Sequence, residues 1–139
     1  MLFAISFTAR PGKEAELERV LTNQAVTEHA AAHMGARLDA LFVQGNRFTR
    51  IYEFPDGTGD LAEVRARVLA AQQSPEFHDL LRVAAPLLQD PFDPEDPTTV
   101  AAFVQRHKLQ LLVEARPPPM LPPVAEPLKA AFTRVARSA

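Results

Sequence analysis

The chain has 139 residues, 47% hydrophobic and 23% charged, with a formal net charge of −2, which is the size and make-up of one globular domain with a real core. No basic excess marks it as a binder of nucleic acid or of an anionic membrane. It contains no cysteine, which excludes disulfides, thiolate nucleophiles, Cys-ligated zinc and iron–sulfur clusters. No apolar run is long enough to span a bilayer, and Arg10-Pro11-Gly12 interrupts any signal-like start. The expected location is therefore the cytoplasm.

Residues 2–9 alternate with period two: Phe3, Ile5 and Phe7 share one face, and Ala4, Ser6 and Thr8 the other. After the Arg10-Pro11-Gly12 turn, Leu17, Val20, Leu21 and Ala25 follow helical spacing, so one helix is predicted over 13–30. Early acids Glu14 and Glu16 suit its N-terminal dipole.

The segment 38–54 reads LDALFVQ-GN-RFTRIYEF: two strand-like runs flank Gly45-Asn46. A two-residue turn in which Gly supplies positive φ makes this a tight β-hairpin. Asp60 is a natural N-cap for a helix carrying Leu61, Val64, Val68 and Leu69. Ser74-Pro75 ends that helix and starts another, with Phe77, Leu80, Leu81 and Ala84 inward and Pro86 at its end. The run from Asp90 to Pro97 reads as an extended loop with repeated helix-start signals. A short helix over 98–107 follows, with Val100, Phe103 and Val104 inward.

The run 109–115 (LQLLVEA) looks like a closing strand. The order β-α-β-β-α-β is the ferredoxin-like plan, here an α+β domain over 1–115 with an extra helical segment at 75–107. Residues 116–139 read as a Pro-rich, polyproline-like linker and a short terminal helix.

No GxSxG, Walker A, HExxH, GxGxxG or EF-hand pattern occurs. His29 and His33 are spaced i,i+4, which suits a metal on a helix, but two imidazoles without an acid favour a structural reading. No metal and no cofactor is expected. The carboxylates among the prolines of 90–97 read as caps rather than a cation site.

The strand after the turn is the chemically interesting one. One face carries Phe48, Arg50, Tyr52 and Phe54; the other carries Arg47, Thr49, Ile51 and Glu53. Either way a charge sits on a central strand, where it must be paired or face a cavity. Arg50 and Tyr52 thus either form a structural pair or line a pocket that holds an anionic or phenolic oxygen. His78 at a helix start and His107 at a helix end are candidate acid/base groups, or else solvated helix-end histidines.

The segments FTARPGKEAELERVL, LFVQGNRFTRIYEF, QSPEFHDLLRVAAPLLQ and DPFDPEDPTTVAAFVQRHKLQLL make the chain resemble the SchA/CurD-like domain family of bacterial aromatic-polyketide gene clusters. The resemblance covers roughly residues 3–113. It implies a dimeric α/β barrel, in which two ferredoxin-like sheets pack face to face and each subunit holds an apolar cavity between sheet and helices. It implies an aromatic polyketide intermediate as ligand, a homodimer, and contact with polyketide synthase components, with no nucleic acid and no membrane partner.

The activity so implied is that of a cyclase or aromatase; the family lends no catalytic residue, and the aldol chemistry assigns Arg50 as oxyanion or phenolate binder, Tyr52 as donor and His78 or His107 as acid/base. Two alternatives stay open: a cofactor-free quinone-forming monooxygenase, and a non-catalytic polyketide-binding or synthase-docking subunit. The cofactor-free monooxygenases often use a pocket Trp, and this chain has none.

Overall fold

A computed structural model describes residues 1–115; the linker and terminal helix expected over 116–139 lie outside the described residues. The element order is β1 (Leu2–Thr8), α1 (Glu14–Leu21), α2 (Gln24–Met34), β2 (Leu38–Gln44), β3 (Arg47–Glu53), α3 (Leu61–Ala71), α4 (Pro75–Ala84), a 3₁₀ turn (Ala85–Leu87) and α5 (Pro97–His107). The strands form one antiparallel sheet in the order β1-β3-β2.

The β2–β3 hairpin forms about Gly45, whose φ is +60°, while no non-glycine residue among those described has positive φ. A single glycine at the first central position is the requirement of a type II′ turn. The turn sets the register that pairs Asp39 with Tyr52 and Leu41 with Arg50. The period-two pattern of β1 then decides the faces. Phe3, Ile5 and Phe7 are buried with Phe48, Arg50 and Tyr52, and the helices cover this side. Phe7 and Phe48, directly paired, stack at 5.9 Å. Fully burying a side chain such as Phe48 or Phe54 contributes about 1.5–3 kcal/mol. The opposite side carries Ala4, Ile51, Ala40 and Phe42, and no helix among the described residues packs on it.

The structure departs from the sequence reading at two elements. The helix predicted over 13–30 is two helices. Asn23 caps the second by accepting a hydrogen bond from the Val26 N–H, and Gly35 ends it in the left-handed conformation at φ +74°. A side-chain acceptor two residues after Leu21 offers the backbone an alternative to continuing the helix. The strand expected over 109–115 is also absent. Lys108 makes an isolated bridge to Ile5 and the Leu109 N–H donates to the Ala4 carbonyl at 2.8 Å, so the chain begins to pair with β1 and then leaves it. Leu112 and Val113 are 85% and 80% exposed. The other starts fall where their caps predict: Asp60 accepts from Glu63 N–H, Pro75 opens α4, and Asp96 accepts from Thr98 N–H. The β-α-β-β-α order with its helices on one sheet face is ferredoxin-like, and residues 108–109 occupy the place of the fourth strand.

Candidate active site

Between the sheet and α4 lies a cavity of about 50 Å³. Its walls are apolar and aromatic: Phe7 from β1, Phe77 and Leu81 from α4, Phe103 from α5, and the half-buried Leu80 and Phe92. Leu80 and Phe92 also wall grooves on the outer surface, so they stand between the cavity and those grooves. Three polar side chains reach this apolar space: Arg50, Tyr52 and Gln72.

Arg50 is 4% exposed. Its Nε and Nη2 donate to the two oxygens of Asp39 at 2.8 and 2.9 Å, and Nη2 also donates to the Thr27 hydroxyl at 3.2 Å. The Asp39 side chain is only 3% exposed, so this is a buried, bidentate ion pair. The hairpin register makes it, because residues 39 and 50 are diagonal neighbours across β2 and β3. Burial works against the guanidinium charge, but the Tyr52 oxygen and the Asp39 carboxylate more than offset it, and Arg50 stays charged. Its Nη1 makes no hydrogen bond to the described residues.

Tyr52 is 2% exposed, its ring 5.8 Å from the Arg50 guanidinium carbon. Burial, reinforced by the Asp39 charge and opposed by Arg50, pushes the phenol up to about 12. It is therefore a neutral donor at physiological pH.

Gln72 follows α3 as its C-cap and is 7% exposed. Its Oε1 is buried without a hydrogen-bond partner. Turning the amide over only exchanges which atom is orphaned. Leaving such a group unpaired costs about 1–3 kcal/mol. Sequence reading passed over Gln72, since a polar residue at a helix end carries no signal of burial. Asp39 was legible in principle, as the acid diagonal to Arg50 once the Gly45-Asn46 turn is placed.

Of the residues singled out from sequence, Arg50 and Tyr52 therefore meet at one cavity, and the two histidines stand elsewhere. His78 Nε2 lies 3.2 Å from Glu95 in a surface groove shared with Arg82. Hydrogen bonds from Arg82 and His78 hold Glu95 below the usual carboxylate range. His107 is clamped between two acceptors, with Nδ1 3.0 Å from the Ser6 carbonyl and Nε2 2.7 Å from Asp90. Asp90 also takes two hydrogen bonds from Arg106, and His107 and Arg106 together hold its carboxyl low. The His107 ring packs at 4.4 Å on Phe103, a wall of the cavity, so it stands behind that wall rather than on it.

His29 and His33 stack on each other at 6.4 Å, and His29 pairs with Glu76 at 3.3 Å. No group of three metal-ligating side chains occurs among the described residues. No helix among them is long and apolar enough to cross a membrane. The acids of 90–97 act as caps and ion-pair partners: Asp93 accepts from the Glu95 N–H, and Asp96 opens α5.

In overall shape the chain is similar to the tetracenomycin F2 cyclase of Streptomyces glaucescens, a type II polyketide cyclase. The TM-score is 0.58 at 14% identity, over 85% of this chain and 99% of that one. A NIPSNAP family protein of unknown function from Agrobacterium tumefaciens matches with a TM-score of 0.50 at 17% identity, over 64% of this chain and 79% of that one. An antibiotic biosynthesis monooxygenase matches at 0.47 and 18% identity, over 64% and 87%. At these identities the likeness is one of fold. No curated protein matches the chain. The model of the SchA/CurD-like domain matches residues 1–116, most of the chain, and the protein belongs to that family.

Proposed function

We propose that this protein is a tailoring protein of aromatic polyketide biosynthesis, a cyclase or aromatase that works by oxyanion binding and proton transfer in the cavity above β3. One observation carries the reading. A charged Arg50, fixed by Asp39 and adjoining a neutral Tyr52, is presented to an aromatic-walled space. The type II polyketide cyclase of the same fold and nearly the same extent supports it.

An intramolecular aldol on a poly-β-ketone loses a methylene proton, forms a carbon–carbon bond to a ketone carbon, and places negative charge first on the enolate oxygen and then on the new alkoxide. Arg50 Nη1 and the Tyr52 hydroxyl are donors suited to that oxygen, and they are worth more in a dry cavity than in water. The apolar walls hold the chain in a reactive fold, which is the entropic share of the rate. No cofactor enters this chemistry. Among the described residues the titratable side chains on the wall are Arg50 and Tyr52, so the methylene proton goes to His107 behind Phe103, to His78, or to water. His107→Gln and His78→Gln, assayed separately, assign it. A loss of about 10²-fold or more names the base, and twofold effects in both assign the proton to solvent.

The lack of a base on the wall favours, as a second reading, a subunit that binds the polyketide without turning it over. The test is incubation with a reconstituted minimal aromatic polyketide synthase, in air and under argon, with products read by mass. Altered products in both atmospheres establish cyclisation. A product heavier by oxygen only in air makes the protein a monooxygenase, and an unchanged profile with bound polyketide establishes the binding role. We also propose that the sheet face turned away from α1–α5, with Phe42 58% and Leu38 47% exposed, packs against a second copy.

A further inference from the structure

We infer that Gln72 is a ligand-binding residue, the pole of the cavity that pairs with a hydroxyl on an aromatic or enolised ketone. The inference deepens the proposed reading of this cavity as a polyketide site and rests on it. It holds whether the ligand is cyclised or only carried.

Hydrogen-bonding capacity around the cavity is left unmatched. Gln72 shares the lining of the cavity with Leu17, Leu21, Phe77 and Leu81, where a Met or Leu is the apolar alternative. Instead the position holds an amide whose Oε1 has no partner while being buried. Its backbone does not need the side chain, since the Gln72 N–H already bonds to the Val68 carbonyl. Across the same space, Arg50 has Nη1 unused and the Tyr52 hydroxyl makes no hydrogen bond to the described residues.

The cavity therefore offers donors on its β3 wall and an unpartnered amide at the end of α3. The complementary ligand has a flat apolar body, one oxygen that accepts from the β3 wall and one hydroxyl that pairs with the Gln72 amide. A phenol bearing a ketone, or the enol of a 1,3-diketone, has that pattern. A hydrocarbon or a simple ketone leaves Gln72 unsatisfied, and a site that must leave a buried polar group unpaired discriminates against that ligand.

The test pairs 6-acetyl-2-naphthol with 2-acetylnaphthalene, which lacks the hydroxyl, in calorimetric titrations of the full chain and of Gln72→Met. Met keeps the length and removes the amide. The expected result is tighter binding of the naphthol by the natural protein, weakened about tenfold in Q72M, with the affinity for 2-acetylnaphthalene unchanged. Q72M should also melt about 4 °C higher without ligand, because an orphaned polar group has been removed. A Gln72 with a purely structural role predicts the reverse, a lower melting temperature and equal losses for both probes. Equal binding of the two probes by the natural protein, or a Q72M protein that does not distinguish itself, overturns the role of Gln72 while leaving the cavity a ligand site. Failure of both probes to bind the natural protein overturns both readings.

Discussion

Arg50 carries two burdens, and they separate experimentally. As half of a buried ion pair it is a stability element. Removing only its partner leaves an uncompensated charge in the core, at a cost of about 3–5 kcal/mol. Asp39→Asn should therefore lower the urea midpoint strongly. The double change Arg50→Met with Asp39→Leu, which removes both charges together, should recover most of that loss. Activity should not recover with it, because the oxyanion donor is gone. A double variant that folds and still redirects polyketide products would remove Arg50 from the chemistry.

Tyr52 offers a cleaner handle, being the only tyrosine in a chain without tryptophan. Its folded value of about 12 lies above the value of about 10 for an unfolded chain. Between these the unfolded state has released its proton and the folded state has not, so stability falls as pH rises from about 10 to about 12, by about 3 kcal/mol in all. Below pH 10 the residue contributes no pH dependence. Phenolate absorbance in the folded protein should appear only near pH 12. Titration near pH 10 in a protein still folded would place the hydroxyl in water, outside the cavity described.

At the scale of elements, local chemistry sets most boundaries. Asp60 and Asp96 each accept a backbone N–H of the following turn, and replacing either with Ala should cost about 1 kcal/mol, read from chemical unfolding. Gly35 is more demanding. Its φ of +74° is strained for any side chain, and a Cβ there would lie 3.2 Å from the Arg67 guanidinium. Gly35→Ala should cost about 1–2 kcal/mol.

These features were legible in sequence because each is decided within a few residues: a cap, a proline at the first helical position, a glycine in a tight turn. The break at Asn23 was equally local, yet Leu17, Val20, Leu21 and Ala25 keep helical spacing straight through it and hide it. The fate of 109–115 was not local at all. LQLLVEA has a strand's composition, but a strand exists only where a partner edge receives it, and β1 receives only the first residues. The site divides in the same way. Arg50 and Tyr52 follow from alternation on β3 and Asp39 from hairpin register. Gln72, by contrast, joins them only because α3 packs over that face.

For the whole molecule, the unanswered demand is the second face of the sheet. β3 is central and buried on its helical side, while Ala4, Ile51, Ala40 and Phe42 form a band across all three strands that no helix among the described residues covers. An apolar sheet face of this kind is stable in water only when another layer packs on it. Phe42 stands in the band at 58% exposure and contributes nothing to the core of its own chain. Phe42→Lys should therefore leave the fold and its urea midpoint within about 0.5 kcal/mol of the natural protein when both are compared as monomers. If two sheets meet face to face, the same change buries a charge in the interface. Light scattering should then show the natural chain as a dimer and F42K as a monomer at the same concentration. A natural chain that scatters as a monomer at high micromolar concentration would leave the sheet face to some other partner.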